Sequence, residues 1–198
     1  MRKVETGDGT VTLYSEEYDQ PFHSKSGALE ESEKKYIIPC KVKEGDLILD
    51  VGFGLGFNVA AALENKARVI SLEKDKSLFK EIQNLELPLD SYKLVKEVAL
   101  GLKSNRLKIL LGDARDTIKQ IDEKFDAVFH DPFSPPKNPE LWTEEFFREI
   151  KKRMKKGAIL ATYSCARVTR DNLKAAGFKV IDGPIVGRRS PSTLAINE

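Results

Sequence analysis

Asp50–Gly56, DVGFGLG, follows the apolar run Leu47–Leu49 and precedes the helical pattern Phe57–Glu64. Glycines spaced in this way after a strand let the backbone turn sharply and approach a ligand with no Cβ atoms in the way. A dinucleotide site usually carries two residues between its second and third glycines, whereas here the spacing is D-x-G-x-G-x-G with the acid on the strand. That form is associated with S-adenosylmethionine, so Asp50, Gly52, Gly54 and Gly56 are expected at a cofactor site. A glycine triplet alone is weak, and its neighbours must decide.

Downstream, short β-branched runs alternate with helical patterns, the sign of a parallel sheet with crossover helices. Strands are predicted at 47–51, 68–73, 107–111, 125–131, 158–163, 178–182 and 193–197, with helices near 57–64, 77–85, 114–120, 143–154 and 169–176. The segment 183–192, rich in Gly, Pro, Arg and Ser, has no helical pattern, so the last two strands should form an antiparallel hairpin. The fold class is therefore α/β, with a Rossmann-like, seven-stranded, mostly parallel sheet of the class I methyltransferase layout. Thr143 as N-cap, Glu144 and Glu145 in the first turn and Gly157 at the far end frame one helix. Residues 1–44 read as an N-terminal extension with a strand at 10–15 and a helix at 27–38, and 45–198 as the catalytic domain. LVKEVALGL, within residues 86–106, reads as an extra helix.

Two further acids close successive strands. Glu73 can accept both hydroxyls of a ribose at the carboxyl end of its strand, where open α/β sheets bind ligands. Asp113 can accept from an adenine amino group while Ala114 leaves room for the ring; as helix N-cap it has a plain alternative role. The fourth strand ends at Asp131, followed by PFSPPKNPELW. An acid, a proline and an aromatic residue at this place suit methyl transfer to nitrogen, because a carboxylate can orient an amine by accepting its N–H bonds. Asp131 and Phe133 are thus the expected catalytic pair, Asp131 also bordering the cofactor. Phe133 could stack on a base, and Lys137 and Asn138 could bind phosphate or a base edge. The prolines read as loop stiffeners and Trp142 as packing beneath them. His130 should point away from Asp131, on the other side of the strand.

The chain has 198 residues, 40% hydrophobic, and two cysteines, Cys40 and Cys165, in no ligand-like spacing. This indicates one domain with an appendage, no disulfide framework and no metal site. With no signal-like N-terminus and no long apolar run, a soluble cytoplasmic protein is expected, with no membrane association. The net charge of +2 hides an asymmetry: residues 1–150 carry 22 basic and 28 acidic side chains, residues 151–198 carry 11 and 3. The basic end could steer a polyanion through Lys151, Lys152, Arg153, Lys155, Lys156, Arg167, Arg170, Arg188 and Arg189. For the lysines, the dipole at a helix C-terminus is an equally good account.

TLYSEEYDQPFHS (12–24) with Gly27 and Glu30, DVGFGLGFN, LLGDA, DPFSPPKNPELWT and ATYSCARVTRDNLKAAGF (161–178) together resemble one family over nearly the whole chain. It is the methyltransferase half of the bifunctional enzymes that complete 5-methylaminomethyl-2-thiouridine at the tRNA wobble position. The resemblance implies methyl transfer from S-adenosylmethionine to the amine of 5-aminomethyl-2-thiouridine, with the anticodon region of tRNA, and no DNA, as partner. It implies a pocket closed by Tyr14, Tyr18, Asp19, Gln20, Ser24 and Glu30. His23 reads as a local hydrogen-bonding residue. The family's flavin-dependent oxidase lies beyond the methyltransferase, and no second dinucleotide motif occurs here, so a free-standing methyltransferase without FAD is expected. Such an enzyme must receive the aminomethyl form. Gly187–Ser190, GRRS, stands where the family has glycine and a lysine-arginine pair. The rival readings are a methyltransferase for adenine or a protein amide, a spermidine-synthase-like aminopropyltransferase, and a non-catalytic cofactor- or tRNA-binding module.

Overall fold

The computed structural model describes residues 1–24 and 27–198. The N-terminal segment forms a small antiparallel sheet, β1 (Arg2–Glu5), β2 (Val11–Ser15) and β3 (Gln20–Pro21), of which the sequence indicated only the middle strand. A helix follows in three parts: α1 (Ala28–Glu31), a π-helical turn (Ser32–Ile37) and α2 (Ile38–Cys40). Pro39 has no N–H to give to a regular α-helical ladder at this point.

From residue 47 the chain builds the alternating unit: β4 (Leu47–Val51), α3 (Phe57–Glu64), β5 (Arg68–Glu73), α4 (Leu78–Gln83), α5 (Tyr92–Ala99), β6 (Leu107–Leu111), α6 (Ala114–Thr117) and β7 (Phe125–His130). It ends with α7 (Glu144–Lys152), β8 (Met154–Thr162), α8 (Arg167–Ala175), β9 (Lys179–Asp182) and β10 (Thr193–Ile196). The seven-stranded sheet has the order β6-β5-β4-β7-β8-β10-β9. Strands β4 to β8 pair in parallel, and β10 runs antiparallel between β8 and β9. The Rossmann-like reading thus holds, with the terminal hairpin and the extra helix α5. The order reverses between β5-β4 and β4-β7, which is the crevice where such sheets take their ligands.

Side chains alternate across the sheet. Ile48, Ala127, Phe129 and Ala161 face a core shared with the N-terminal helix, α3 and α5. Leu49, Val51, Val128 and Leu160 face α7 and α8 through Phe146, Phe147 and Leu173. Strands covered on both faces explain why these runs are nearly continuous in apolar residues.

One boundary differs from the sequence reading. The helix framed by Thr143 stops at Lys152, and β8 begins at Met154, so Gly157 lies inside a strand and not at a helix end. Between the paired positions Phe125–Met154 and Ala127–Ile159, β7 advances by two residues and β8 by five. The extra length is held by Asn197, whose side-chain amide donates to the carbonyls of Met154 and Lys155 at 3.1 Å each. Lysines disguise this strand because they are poor strand formers on pattern alone. No helix among the described residues is long and apolar enough to cross a membrane.

Candidate active site

A cavity of about 370 Å³ lies where β4, β5, β6 and β7 end and the N-terminal segment crosses above them. Gly52 leaves β4 with φ +94°, and its N–H and that of Phe53 donate to the Leu72 carbonyl at 3.2 and 3.1 Å, tying the turn to β5. A Cβ on Gly52 would stand 2.9 Å from the Asp131 carbonyl oxygen and 3.0 Å from Pro132 Cα. One on Gly54 (φ +54°) would meet the Phe22 ring at 3.3 Å. Gly52 and Gly54 line the cavity; Gly56 does not, its Cβ position being filled by Val95 of α5. Asp50 is also outside the cavity: it is fully buried beneath the turn, where the Ser71 hydroxyl donates to it at 2.5 Å, and burial pushes its carboxyl well up. It belongs to the support of the turn rather than to its open face.

Glu73 is held from behind. One carboxylate oxygen accepts the Gly54 N–H at 2.9 Å and the other those of Lys74 and Asp75 at 2.7 Å each. Burial raises its pKa against the pull of those N–H groups. The oxygen bonded to Gly54 keeps one acceptor site toward the cavity, which fits a ribose hydroxyl. Asp113 lines the cavity beside Ala114, but it caps α6 through the Arg115 N–H at 2.9 Å and takes the Arg115 guanidinium at 3.0 and 2.6 Å. Those bonds to Arg115 hold its carboxyl at about 2. The N-cap role weighed from sequence is therefore present, and Arg115 competes for any adenine contact.

Asp131 follows β7 and opens into the cavity with protein on its other sides. Tyr36 donates its hydroxyl to one carboxylate oxygen at 2.5 Å, and the Asn58 amide donates to the other at 2.7 Å. Desolvation raises the carboxyl from the usual 3.8 to about 7; the two hydrogen bonds and Lys35 work against that rise, while the Glu31 charge adds to it. Phe133 stacks on Tyr18 with ring centroids 4.2 Å apart, and Phe22 tilts against it at 5.0 Å. Trp142 packs beneath the loop and donates to the Phe133 carbonyl at 2.9 Å, and Tyr163 donates to the Pro132 carbonyl at 3.0 Å. Gln20 receives the Ser134 hydroxyl at 2.8 Å, fastening the proline-rich loop to the N-terminal sheet.

The N-terminal residues divide. Tyr18, Gln20 and Ser24 line the cavity, with Ser24 giving its N–H to Glu31 at 2.9 Å. Tyr14 and Asp19 bond to each other outside it. Glu30 points out to Lys34 at 2.6 Å, and Glu31, one position along the helix, turns inward and pairs with buried Lys35. Lys35 and the Ser24 N–H hold Glu31 below the usual carboxylate range although burial opposes them. His23 stacks on Phe57 and shares a hydrogen bond with Thr12 at 2.8 Å; burial lowers it to about 4. His130 packs on the far side, 4.7 Å from Trp142, lowered to about 3 by burial.

Of the basic residues that follow position 150, Arg188 borders the cavity, which Lys35 and Lys74 also line. Asn138 lines it too, but Lys137 and Arg189 are exposed outside. Arg170 is a brace: it reaches Thr193 at 3.0 Å and Asp182 at 2.5 Å, fixing the hairpin. Arg167 is exposed beside Asp171. Lys151 reaches the Gly177 carbonyl, Lys152 and Arg153 pair with Glu149, and Lys155 pairs with Asp126. Met154 pairs with Phe125 at the start of β7, so these lysines sit at the end of the sheet opposite the cavity. Tyr36, Asn58, Glu31 and Lys35 are site residues that sequence reasoning missed; the one signal was Asn58, immediately after the glycine turn in DVGFGLGFN.

A family described as S-adenosyl-L-methionine-dependent methyltransferase matches residues 79–198. The chain belongs to this family. The methyltransferase is 40% identical to the protein in the crystal structure of MNMC2 from Aquifex aeolicus, with a TM-score of 0.86 over 100% of this chain and 70% of that one. It is 36% identical to an uncharacterised protein of Methanocaldococcus jannaschii over 97% of this chain and 58% of the relative. It is also 31% identical to the tRNA 5-methylaminomethyl-2-thiouridine biosynthesis bifunctional protein MnmC of Leptospira interrogans, over 93% of this chain. The methyltransferase thus spans more than half of the Methanocaldococcus relative and 33% of the bifunctional one.

Proposed function

We propose that this methyltransferase moves a methyl group from S-adenosylmethionine to the primary amine of 5-aminomethyl-2-thiouridine, or its 2-oxo form, at the wobble position of tRNA. The observation that carries the reading is Asp131, an enclosed carboxyl of raised pKa facing a cavity with an aromatic wall. The likeness to the bifunctional tRNA proteins supports the choice of nucleoside, and acting on tRNA places the work in the cytoplasm.

The cofactor supplies an electrophilic methyl carbon on a sulfonium when bound. Glu73 would receive a ribose hydroxyl, the Gly52–Gly54 backbone would allow its close approach, and Asp113 and Ala114 would border its adenine. The remaining chemistry concerns the amine. An alkyl ammonium of pKa about 10.4 facing an ordinary carboxyl of about 3.9 has a proton-transfer deficit of roughly 9 kcal/mol, at 1.36 kcal/mol per pKa unit. A carboxyl near 7 reduces that to roughly 5 kcal/mol, and desolvation of the ammonium lowers it further. Asp131 accordingly accepts the amine N–H bonds, aims the nitrogen lone pair and takes up the proton. Residues 1–44 shape the acceptor side and residues 45–198 hold the methyl donor.

The test is nucleoside analysis of tRNA bearing 5-aminomethyl-2-thiouridine after incubation with enzyme and labelled cofactor. Label in 5-methylaminomethyl-2-thiouridine is expected. Label in methylated adenosine or in protein would replace this acceptor with the corresponding rival, aminopropyl transfer to an added polyamine from decarboxylated cofactor alone would make the chain an aminopropyltransferase, and no transfer from either cofactor would leave a binding module. Glu73→Ala is expected to weaken cofactor binding by roughly ten- to hundredfold, the loss of hydrogen bonds to a charged group; equilibrium titration reads it, and unchanged affinity would remove Glu73 from the donor site. Arg188→Ala should weaken tRNA binding and reduce the slope of log affinity against log salt by about 1, as for one lost phosphate contact.

A further inference from the structure

Ser32 and Tyr36 stand four residues apart on the π-helical turn of the N-terminal helix, and both reach across to the reaction site. The Tyr36 ring is 1% exposed and packs against Phe129 with ring centroids 5.4 Å apart, so its hydroxyl cannot swing away from Asp131. Asn58 lies in the first turn of α3, directly behind the glycine turn. The Ser32 hydroxyl lies 2.7 Å from Asn58 Oδ1, which fixes the amide with its NH₂ toward Asp131 Oδ2. Tyr36 occupies Oδ1 of the same carboxylate.

We infer that Tyr36 and Asn58 are positioning residues for methyl transfer, clamping the Asp131 carboxylate by one hydrogen bond to each oxygen so that its remaining lone pairs face the acceptor amine. The inference rests on the role given to Asp131 under the proposed function. An ionised carboxylate has about four acceptor sites, and with two filled from behind, two remain for the N–H bonds of a primary amine. The clamp also makes the N-terminal helix part of the chemistry: it carries Tyr36 and, through Ser32, the orientation of Asn58.

The charged and titratable groups around Asp131 define the sign of the pH effect. Tyr36, Glu31 and Lys35 face it from the N-terminal helix, Asp50 from β4, and Tyr163 from the end of β8. Glu31 and Lys35 are paired with each other. The Tyr36 and Asn58 bonds favour the charged form, so removing either raises the pH at which Asp131 ionises.

The experiment measures kcat/KM for tRNA bearing 5-aminomethyl-2-thiouridine, at saturating cofactor, across pH for the wild type, Tyr36→Phe, Asn58→Ala and Asp131→Asn. In the wild type an acid limb is expected at or below pH 7, because the sulfonium adds positive charge to the cavity. Tyr36→Phe and Asn58→Ala should move that limb to higher pH by about one unit and lower kcat by roughly tenfold to hundredfold, as expected for losing a hydrogen bond to a charged group, with cofactor affinity retained. If both variants lower kcat with the limb in place, or leave kcat unchanged, the clamp is refuted. If the wild type shows no such limb, or Asp131→Asn keeps it, the role of Asp131 itself fails, and that outcome is separate from failure of the clamp alone.

Discussion

Asp131→Asn is expected to lower the rate of methyl transfer by about 10²- to 10⁴-fold, the usual contribution of a positioned general base, while cofactor affinity stays nearly unchanged. The substitution keeps the volume of the side chain, so the cavity and the Tyr18–Phe133 stack are preserved. What it removes is the group that can take a proton. It also sets a second amide NH₂ against that of Asn58, which donates to Oδ2 at 2.7 Å in the wild type, or leaves the Tyr36 hydroxyl without its acceptor. Single-turnover transfer from labelled cofactor, run beside equilibrium cofactor titration, separates the effects. A proportional loss of both would make Asp131 a structural residue. Below about pH 7 the wild type should decline in the same direction, because the carboxyl becomes protonated as pH falls through its raised pKa.

Gly52→Ala is expected to give the largest loss of stability among changes in the glycine turn. The backbone has φ +94° here, which costs a residue with a Cβ about 1–2 kcal/mol. The added carbon would also stand 2.9 Å from the Asp131 carbonyl oxygen and 3.0 Å from Pro132 Cα and N, and backbone cannot rotate aside as a side chain can. A total near 3 kcal/mol lowers the unfolding midpoint by roughly 6–12 °C in a chain of this size. Methyl transfer should fall with it, because relief of the clash displaces the loop that carries Asp131. Gly54→Ala provides the contrast: its Cβ would stand 3.3 Å from the Phe22 ring, a side chain that can move, and an ordinary 3.9 Å from the nearest backbone, the Gly52 carbonyl oxygen. It should cost less stability and act chiefly on cofactor binding. Calorimetric midpoints for the two variants test the difference, and equal midpoints would show that the Asp131–Pro132 backbone yields more easily than its geometry indicates.

The alternation of buried strands and crossover helices was readable because period and glycine placement are local properties. DVGFGLG fixed the first turn, and Glu73, Asp113 and Asp131 marked the ends of the next parallel strands. The strand starting at Met154 was hidden by its lysines, and β1 by its charge, since pairing with a distant partner outweighs local pattern. Within the N-terminal segment, Glu30 and Glu31 could not be separated in sequence; neighbouring helical positions differ by about 100°, and packing alone turns Glu31 toward the cavity. The arginines show the same limit. Arg170 and Arg188 look alike in a basic tail, yet one braces the hairpin through Asp182 and the other borders the site.

By itself, then, the sequence determined a parallel α/β sheet, a glycine turn for a methyl donor and an acid at the end of the fourth strand, because each depends on residues close together in the chain. Only the tertiary structure decided the character of that acid. Tyr36 is 95 positions away from Asp131 and Asn58 is 73 away. The desolvation that raises the carboxyl to about 7 exists only once the N-terminal helix has closed over the sheet and excluded water from one side of it.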